Sequence, residues 1–411
     1  MVIVASLVLL LPCGLALTAA GFARAQSTAH GLVATFLLCS VALIGFWSAG
    51  FAVQTHGALF LRHTTAPAVF EQFLFSALVA AIAAAIPAGT LAERWRFPSM
   101  MLTALAVSTI IYPLVARWVW GGGWLAALGT SAHLGHGVVD YAGSGVVHLV
   151  GGLVSLAGAA FVGPRAGKFA HDGTPRAIPG HQVPMFMTGS LLLSAGWLGL
   201  ILGVDNGLPA APLGLAAINT LLAAAASVLS ASVYMWWQFG ALDPSLLSNA
   251  LVAGLVSMSA GCAFVPTGAA VLVGCVSGPL VIGSVLLIER TFHLDDPAGA
   301  VSIHGTCGAW GLLAVGLFAD GQYGDGWNHV PGGVTGLFYG DLSQLTAQAA
   351  GAAVVLLFVA GTASLVFWTL DRVTGNRVDL DAEMEGLDAA ELGTDAYPDF
   401  ALRDAWQDSR E

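Results

Sequence analysis

The chain has 411 residues, of which 57% are hydrophobic and only 9% are charged, whereas a soluble globular domain has about 25% charged residues. This composition excludes a water-soluble fold, and the 52 glycines favour membrane helices whose backbones pack closely. The formal net charge is −11, but residues 379–411 alone contain eleven acids and two arginines, which leaves −2 for the preceding 378 residues. This balance provides no basic surface for nucleic acid.

Eleven stretches are long and apolar enough to cross a bilayer, which requires about 20 residues of helix. They are 2–22, 31–53, 67–90, 99–119, 143–162, 183–203, 212–236, 246–265, 268–288, 299–318 and 346–370. Because the number is odd, the two termini lie on opposite sides of the membrane. We expect the first stretch to be a retained helix, since no basic residues precede it as they would in a signal peptide.

The distribution of Lys and Arg predicts the orientation. With the N-terminus outside, eleven of these residues fall on the inner side and only Arg62 and Arg117 fall outside, as the preference of basic loops for the cytoplasm requires. We therefore predict an eleven-helix membrane domain at 1–371, with its N-terminus outside, and an acidic cytoplasmic tail at 372–411.

Residues 140–152 and 296–308 share the pattern D-x-A-G-x-x-x-x-H-x-x-x-G. The two copies open the fifth and the tenth stretch, five helices apart, so they enter the membrane from opposite faces, which indicates an inverted repeat. At about 1.5 Å of rise per residue, each histidine lies about 12 Å from its aspartate. In a hydrocarbon core about 30 Å thick, His148 and His304 are then expected at nearly the same depth.

His148 and His304 are the two histidines that lie deep in apolar stretches. Either one alone fits a hydrogen-bonded packing residue equally well. The repeat favours a functional pair, because ionisable groups at this depth are costly and mark transport paths. Two imidazoles are too few ligands for a stable zinc site, so we expect no metal. No nucleophile with a base and no carboxylate cluster stands out in the spans, which argues against an enzyme.

The chain resembles the ammonium transporter (Amt) and Rh family over nearly its whole length, and it is closer to Amt. The matching stretches are GTLAER at 89–94, WGGG at 120–123, the repeat at 140–148, GW at 196–197, PSLL at 244–247, DDP at 295–297, HG at 304–305 with Gly308, and EGLD at 385–388 with Tyr397 in the tail. The resemblance implies an all-α homotrimer in the plasma (inner) membrane without a cofactor. Each subunit would have one pore and two inverted five-helix repeats followed by a long final helix.

The resemblance also implies the residues of a transport path for ammonium or ammonia. His148 and His304 are the twin histidines of the pore, and Trp120 is the aromatic wall of an outer ammonium site. Asp140 is the acid that supports this site, and it holds backbone or water in place rather than the ion itself. A plain helix N-cap is compatible with that role.

Two positions depart from the family pattern. One phenylalanine of the family's gate falls on Val79, although Phe75 one turn earlier is aromatic. The second falls on Ala217 or Ile218, next to the Asn219-Thr220 pair. We therefore expect both rings of the gate to be absent and the histidine pair to be intact.

Selectivity against potassium follows from proton chemistry. A charge is costly in an apolar pore, but ammonium can release a proton and cross as ammonia, which potassium cannot do. Burial favours neutral imidazoles, and each has one donor and one acceptor nitrogen. The pair can relay the proton, which makes transport electrogenic, or pass ammonia alone. An ammonium sensor with little flux and an Rh-like electroneutral channel for ammonia or carbon dioxide remain alternatives.

The tail residues Glu385, Gly386, Leu387, Asp388 and Tyr397 match the family. The resemblance implies a segment that packs under the trimer and communicates with a PII-type regulator at the cytoplasmic face. The family's common His-Gly is replaced here by Leu-Gly at 392–393, so a PII partner has less support than transport. A solvated acidic extension is the alternative.

Overall fold

The computed structural model of the chain describes residues 2–204 and 212–399. These residues form eleven apolar helices, which follow one another in the predicted order. They are α1 (Val2–Phe22), α2 (Ala25–Thr55), α3 (Pro67–Thr90), α4 (Phe97–Val119), α5 (Ser144–Val162), α6 (Val183–Gly203), α7 (Leu213–Phe239), α8 (Pro244–Ser259), α9 (Thr267–Arg290), α10 (Val301–Phe318) and α11 (Leu342–Val373). Ten are long enough to span a membrane, and α8 is a shorter apolar helix. The described residues form no β-strand, so the all-α prediction is confirmed.

The helices differ in how much of each is buried by its neighbours. In α5, 83% of the apolar window is buried, and in α10 the share is 67%, whereas in α11 it is 28%. The two helices that carry the repeat therefore lie at the centre of the bundle, and α11 lies at its periphery. Large apolar side chains are exposed on the outer helices, for example Leu357 at 72% on α11. Such faces suit contact with lipid rather than water.

The eighth predicted span extended too far. Helix α8 ends at Ser259, and residues 260–264 form a turn rather than helix. The side-chain amide of Asn219 on α7 donates to the carbonyls of Cys262 and Val265, at 2.8 and 2.7 Å. A tertiary hydrogen bond thus stabilises a turn in a stretch that is apolar enough for a helix.

The prediction of unbroken helix between each aspartate and its histidine was also wrong. Helix α5 begins at Ser144 and α10 at Val301, and each begins with a π-helical turn that contains the histidine. The preceding residues turn sharply at Gly143 (φ 96°) and Gly299 (φ 75°). This left-handed conformation explains the glycine in both copies of the repeat, since other residues adopt it at a cost. π-Turns occur often at functional sites.

Buried ion pairs join the inner loops. The guanidinium of Arg165 donates to Glu93 at 2.8 Å and to Asp295 at 2.8 and 3.1 Å. Arg24 forms a further ion pair with Glu93, and Arg94 lies 3.8 Å from Asp295. Burial alone would raise the pKa of Asp295, but Arg94 and Arg165 outweigh it and lower the pKa to about 2. The inner loops are therefore fixed to one another by charge pairs shielded from water.

Candidate functional site

The two histidines of the repeat meet at the centre of the bundle, as predicted from the spacing. The Nδ1 atoms of His148 and His304 are 3.2 Å apart, and the two rings are 1% and 5% exposed as whole residues. Since both contact atoms are ring nitrogens, one must donate and the other accept. The Nε2 atom of His148 is buried and has no hydrogen-bond partner among the described residues. This ring nitrogen therefore keeps an unused hydrogen-bonding capacity.

The last glycine of the repeat explains how the two helices approach so closely. A Cβ atom at Gly152 would collide with the backbone of Gly305, which follows His304. A Cβ atom at Gly308 would lie 2.6 Å from the carbonyl oxygen of Ser144. Glycine at these positions lets the backbones of α5 and α10 cross in contact, as small residues do in membrane bundles.

Asp140 caps the start of α5. One oxygen accepts from the amide of Gly143 at 2.8 Å, and the other accepts from Gly145 at 2.8 Å and Val146 at 2.9 Å. The side chain is fully buried, and burial raises its pKa against these hydrogen bonds. The carboxylate thus contacts backbone and has no open side.

Trp120 lies next to this cap and faces an outer cavity. Its indole nitrogen donates to the carbonyl of Asp140 at 2.6 Å. The ring lines a cavity of about 530 Å³ together with Phe75 and Val79, which are two of the predicted gate positions. The cavity also contains Glu71 and two buried atoms without described hydrogen-bond partners, Oε1 of Gln54 and the hydroxyl of Tyr112. Nothing in the sequence alone assigned these three residues to the site.

The second predicted gate position, Ala217 or Ile218, lies away from the outer cavity. Ile218 on α7 is 52% exposed and points away from the bundle, and neither it nor Ala217 lines the outer cavity. Helix α6 places Trp197 beside His148 and Gly203 at the outer cavity. Leu200, which is 1% exposed, lies between them on the same helix face.

Trp197 is a site residue to which the sequence analysis assigned no role. Its ring stacks on His148 with 4.8 Å between ring centroids and 17° between planes. Its indole nitrogen donates to Ser259 at 2.9 Å. The sequence did contain a signal for this residue, because Trp197 stands in the middle of an apolar span. A buried indole N–H requires a hydrogen-bond partner, so such a tryptophan is expected to contact polar groups inside the bundle.

Two cavities continue from the histidines toward the inner face. A small cavity of about 30 Å³ is lined by His304 and Asn249. A larger one of about 410 Å³ is lined by Asn249 again and by Asp296 at the start of the second repeat. The outer cavity lies near the outer ends of the helices and the inner cavities near their inner ends, and of the two histidines His304 alone lines one of these three cavities.

The tail contacts the inner ends of the membrane helices through α12 (Leu380–Glu385) and α13 (Leu387–Leu392). The oxygens of Asp388 accept from the amides of Ala29 at 3.0 Å and His30 at 2.7 Å, in the first turns of α2. Glu383 is fully buried and accepts from Arg377 at 2.7 Å. The alternative of a solvated extension is therefore wrong for this segment, while residues 400–411 lie outside the described residues.

The other matched tail residues differ in exposure. Leu387 is fully buried, whereas Glu385 is exposed to solvent. Gly386 has a φ of 112°, and a side chain there would lie 2.5 Å from the carbonyl of Gln26. The hydroxyl of Tyr397 lies 2.7 Å from Nε2 of His181, in the loop between α5 and α6. The predicted boundary at 371/372 falls just before the end of α11 at Val373.

Substituting Asp388 with alanine should detach the tail. The change removes a carboxylate that caps α2, and such caps contribute about 0.5–2 kcal/mol. We expect faster hydrogen exchange in residues 380–392 with unchanged exchange in α5 and α10. Asp381→Ala, at an exposed position of α12, is the control. Equal exchange in the parent protein and in Asp388→Ala would show that the cap does not hold the tail.

Comparison with known proteins gives a consistent result. Residues 1–397 match the model of the Ammonium Transporter Family. The chain is 37% identical to ammonium transporter Amt2 of Archaeoglobus fulgidus, over 96% of this chain and 86% of that protein. It is 33% identical to ammonium transporter 1 member 2 of Oryza sativa subsp. japonica, over 92% and 81%.

Solved structures agree with this match. A structure entitled Sensor Amt Protein superimposes with a TM-score of 0.85 and 29% identity, over 95% of this chain and 96% of that one. Candida albicans Mep2 superimposes with a TM-score of 0.79 and 25% identity, over 96% and 88%. The helix order and packing of this chain are therefore those of proteins already solved.

Proposed function

We propose a transport route for this chain, which belongs to the Ammonium Transporter Family. It is a multi-pass integral membrane protein rather than an enzyme, typically of the plasma membrane, and its substrate is ammonium or ammonia. The route runs from the outer cavity past the histidine pair to the inner cavities. The observation that carries the proposal is the contact between two buried imidazoles.

Ammonium binds first in the outer cavity. The face of Trp120 attracts the cation, which is worth about 0.5–2 kcal/mol depending on how far the ion is desolvated. Asp140 contributes through the cap, because its contacts to Gly143, Gly145 and Val146 hold the start of α5 beside this ring. The unpaired oxygens of Gln54 and Tyr112 in the same cavity can accept hydrogen bonds from the ion.

The proton and the ammonia separate before the apolar region. The free Nε2 of His148 contacts the passing ammonia, and the Nδ1 contact with His304 provides a path for the proton. Potassium has no proton to release, so it would have to enter as a charge at high cost. The ring of Trp197 supports the orientation of His148 by stacking on it. Phe75 and Val79 line the outer cavity, which therefore has one phenylalanine ring rather than a pair at the first gate position.

Solid-supported-membrane currents on an ammonium pulse test this proposal. An electrogenic transporter gives a current with ammonium and none with potassium, and vesicles take up methylammonium. A sensor with little flux gives neither current nor uptake, and the printed title of one similar structure, Sensor Amt Protein, makes this outcome worth measuring. An electroneutral ammonia or carbon dioxide channel gives uptake without current.

Replacing Trp120 with leucine should weaken binding from the outer side. The loss of the cation–π attraction is expected to raise the half-saturating ammonium concentration about threefold to tenfold. Trp124→Leu provides a control, because Trp124 is a half-exposed tryptophan of the same loop that does not line the outer cavity. Half-saturation is read from currents with ammonium added outside. An unchanged half-saturating concentration in Trp120→Leu would show that this ring is not part of the binding site.

Assembly and regulation complete the proposal. Membership of the family supports a homotrimer with one conduit per subunit, and native mass spectrometry would measure the subunit number. Asp388 and Glu383 hold the tail against the inner ends of the helices and the inner loops through buried hydrogen bonds. A PII-type protein that binds the cytoplasmic face would contact the tail there. Gel filtration with a purified PII-type protein tests this partner. Co-elution with the full chain, lost on truncation after Arg377, is the expected result.

A further inference from the structure

The two aspartates of the repeat differ in access to solvent. Asp140 is fully buried, and both of its oxygens are occupied by three backbone amides. Asp296 caps α10 in the same way, accepting from Ala300 at 3.0 Å and Val301 at 2.9 Å. It is only partly buried, however, and it lines the inner cavity of about 410 Å³. The inner copy of the repeat thus presents a carboxylate to the transport path, and the outer copy does not.

A second polar side chain opens into the same space. Asn249 on α8 is 5% exposed, and its Oδ1 atom is buried without a hydrogen-bond donor among the described residues. Leaving such an acceptor unpaired is unfavourable, so the position is expected to have a ligand. Asn249 lines both inner cavities, and His304 lines the smaller of them. It therefore lies between the histidine pair and the cavity that Asp296 faces.

The charges around the inner cavity favour a cation. Its lining contains two cationic and four anionic side chains, Arg165, Lys168, Asp243, Glu289, Asp295 and Asp296. Arg165 is paired with Asp295, and Lys168 with Glu289. Asp296 accepts from the hydroxyl of Thr90 at 2.7 Å and has no cationic partner among the described residues. The surplus of negative charge is thus located where the conduit opens to the inner side.

We propose that Asp296 and Asn249 form a second ammonium site at the inner end of the conduit. The inference rests on the proposed function and adds to it a binding step on the cytoplasmic side. An ammonium ion has four N–H donors, of which one bonds the Oδ1 atom of Asn249 and another bonds the carboxylate of Asp296. The remaining donors contact water in the cavity. Transport then has a saturable site at each end, and the two sites differ in composition.

Side-specific currents test the site. The protein is reconstituted in one orientation, checked by protease access to the tail, and ammonium is applied to either face. In Asn249→Leu the half-saturating concentration at the inner face should rise about tenfold, since the ion loses a hydrogen bond to a side chain that is shielded from water. The value at the outer face should stay within twofold. Ser245→Ala is the matched control, one turn away on α8 and lining the same cavity.

The outcomes separate the inference from the proposed function. Equal changes at both faces, or no change at either face, in Asn249→Leu would overturn the inner site. Asn249→Ala, which keeps a good helix former, decides the question if the leucine variant does not fold. A parent protein that carries no ammonium current from either face overturns the proposed function and this inference with it.

The pH of the inner solution provides an independent test. Burial raises the pKa of Asp296 to about 6 against its hydrogen bonds with Thr90, Val301 and Ala300. Acidifying the inner face from pH 7 to pH 5 should neutralise this carboxylate and raise the half-saturating concentration there. The other charged groups that face it are Arg165, Lys168, Asp243, Glu289 and Asp295. In Asp296→Asn the pH dependence between 7 and 5 should disappear, and a dependence that persists would assign the titration to another group.

Discussion

Replacing His304 with alanine is expected to lower the ratio of ammonium to potassium current at least tenfold. The substitution removes the imidazole that contacts Nδ1 of His148 at 3.2 Å and leaves a void beside a cavity of about 30 Å³. Without the second ring the proton loses its path, and the enlarged space can hold water where the remaining polar groups bind it. A weaker ammonium current and a new potassium current both lower the ratio. The measurement compares currents after pulses of either cation.

The partner ring provides a second measurement. His148→Ala should lower the same ratio, and the double variant should be no worse than the more severe single one, because the two rings act as a unit. Ser155→Ala is the control on α5, since its buried hydroxyl bonds the carbonyl of Gly151 in its own helix. If both histidine variants keep the selectivity of the parent protein, the pair is a packing contact and the mechanism is wrong.

Replacing Arg165 with methionine is expected to destabilise the protein by about 3 kcal/mol, the low end of the usual cost of removing one partner from a buried ion pair, because Glu93 keeps Arg24 and Asp295 keeps Arg94. Arg165 is 3% exposed and joins Glu93 to Asp295 by three hydrogen bonds. Methionine fills a similar volume, so the loss reports the weakened pairing of the two carboxylates rather than a cavity. Thermal unfolding in detergent at one scan rate measures the change. Arg176→Met, at an exposed position of the same loop, should leave the midpoint unchanged.

A double substitution tests the cause of this loss. Arg165→Met combined with Asp295→Asn should be less destabilised than the sum of the single variants, because one of the two carboxylates that lose Arg165 is then neutral. The pH dependence has a defined sign. The folded-state pKa of Asp295 is about 2, below the ordinary 3.8, so its contribution to stability is complete above about pH 4 and disappears as the pH falls through 2. Strict additivity of the two substitutions would contradict the ion-pair explanation.

From the sequence alone, the number of spans and the depth of the histidines could be predicted. Hydropathy is a property of consecutive residues, so ten stretches that meet the length requirement and one shorter helix were found close to their true bounds. The repeat placed His148 and His304 together because the two copies enter the membrane from opposite faces and carry the histidine at the same position. The same motif contained the two turns at Gly143 and Gly299, but their left-handed backbone was not predicted.

Tertiary contacts decided the remaining features. The end of α8 depends on hydrogen bonds from Asn219, which is 43 residues away from Cys262 along the chain. The contact of α6 with His148, through the stacked ring of Trp197, joins residues 49 positions apart in the chain.

The sequence by itself thus determined the spans, the inverted repeat, the family resemblance and the histidine pair. These follow from local hydropathy and from motifs whose spacing is set by helix geometry. Only the tertiary structure decided which aromatic ring stacks on His148, how Asp388 caps α2 and which of the two aspartates opens to a cavity. Those features depend on contacts between residues far apart in the chain, and hydropathy carries no information about such pairs.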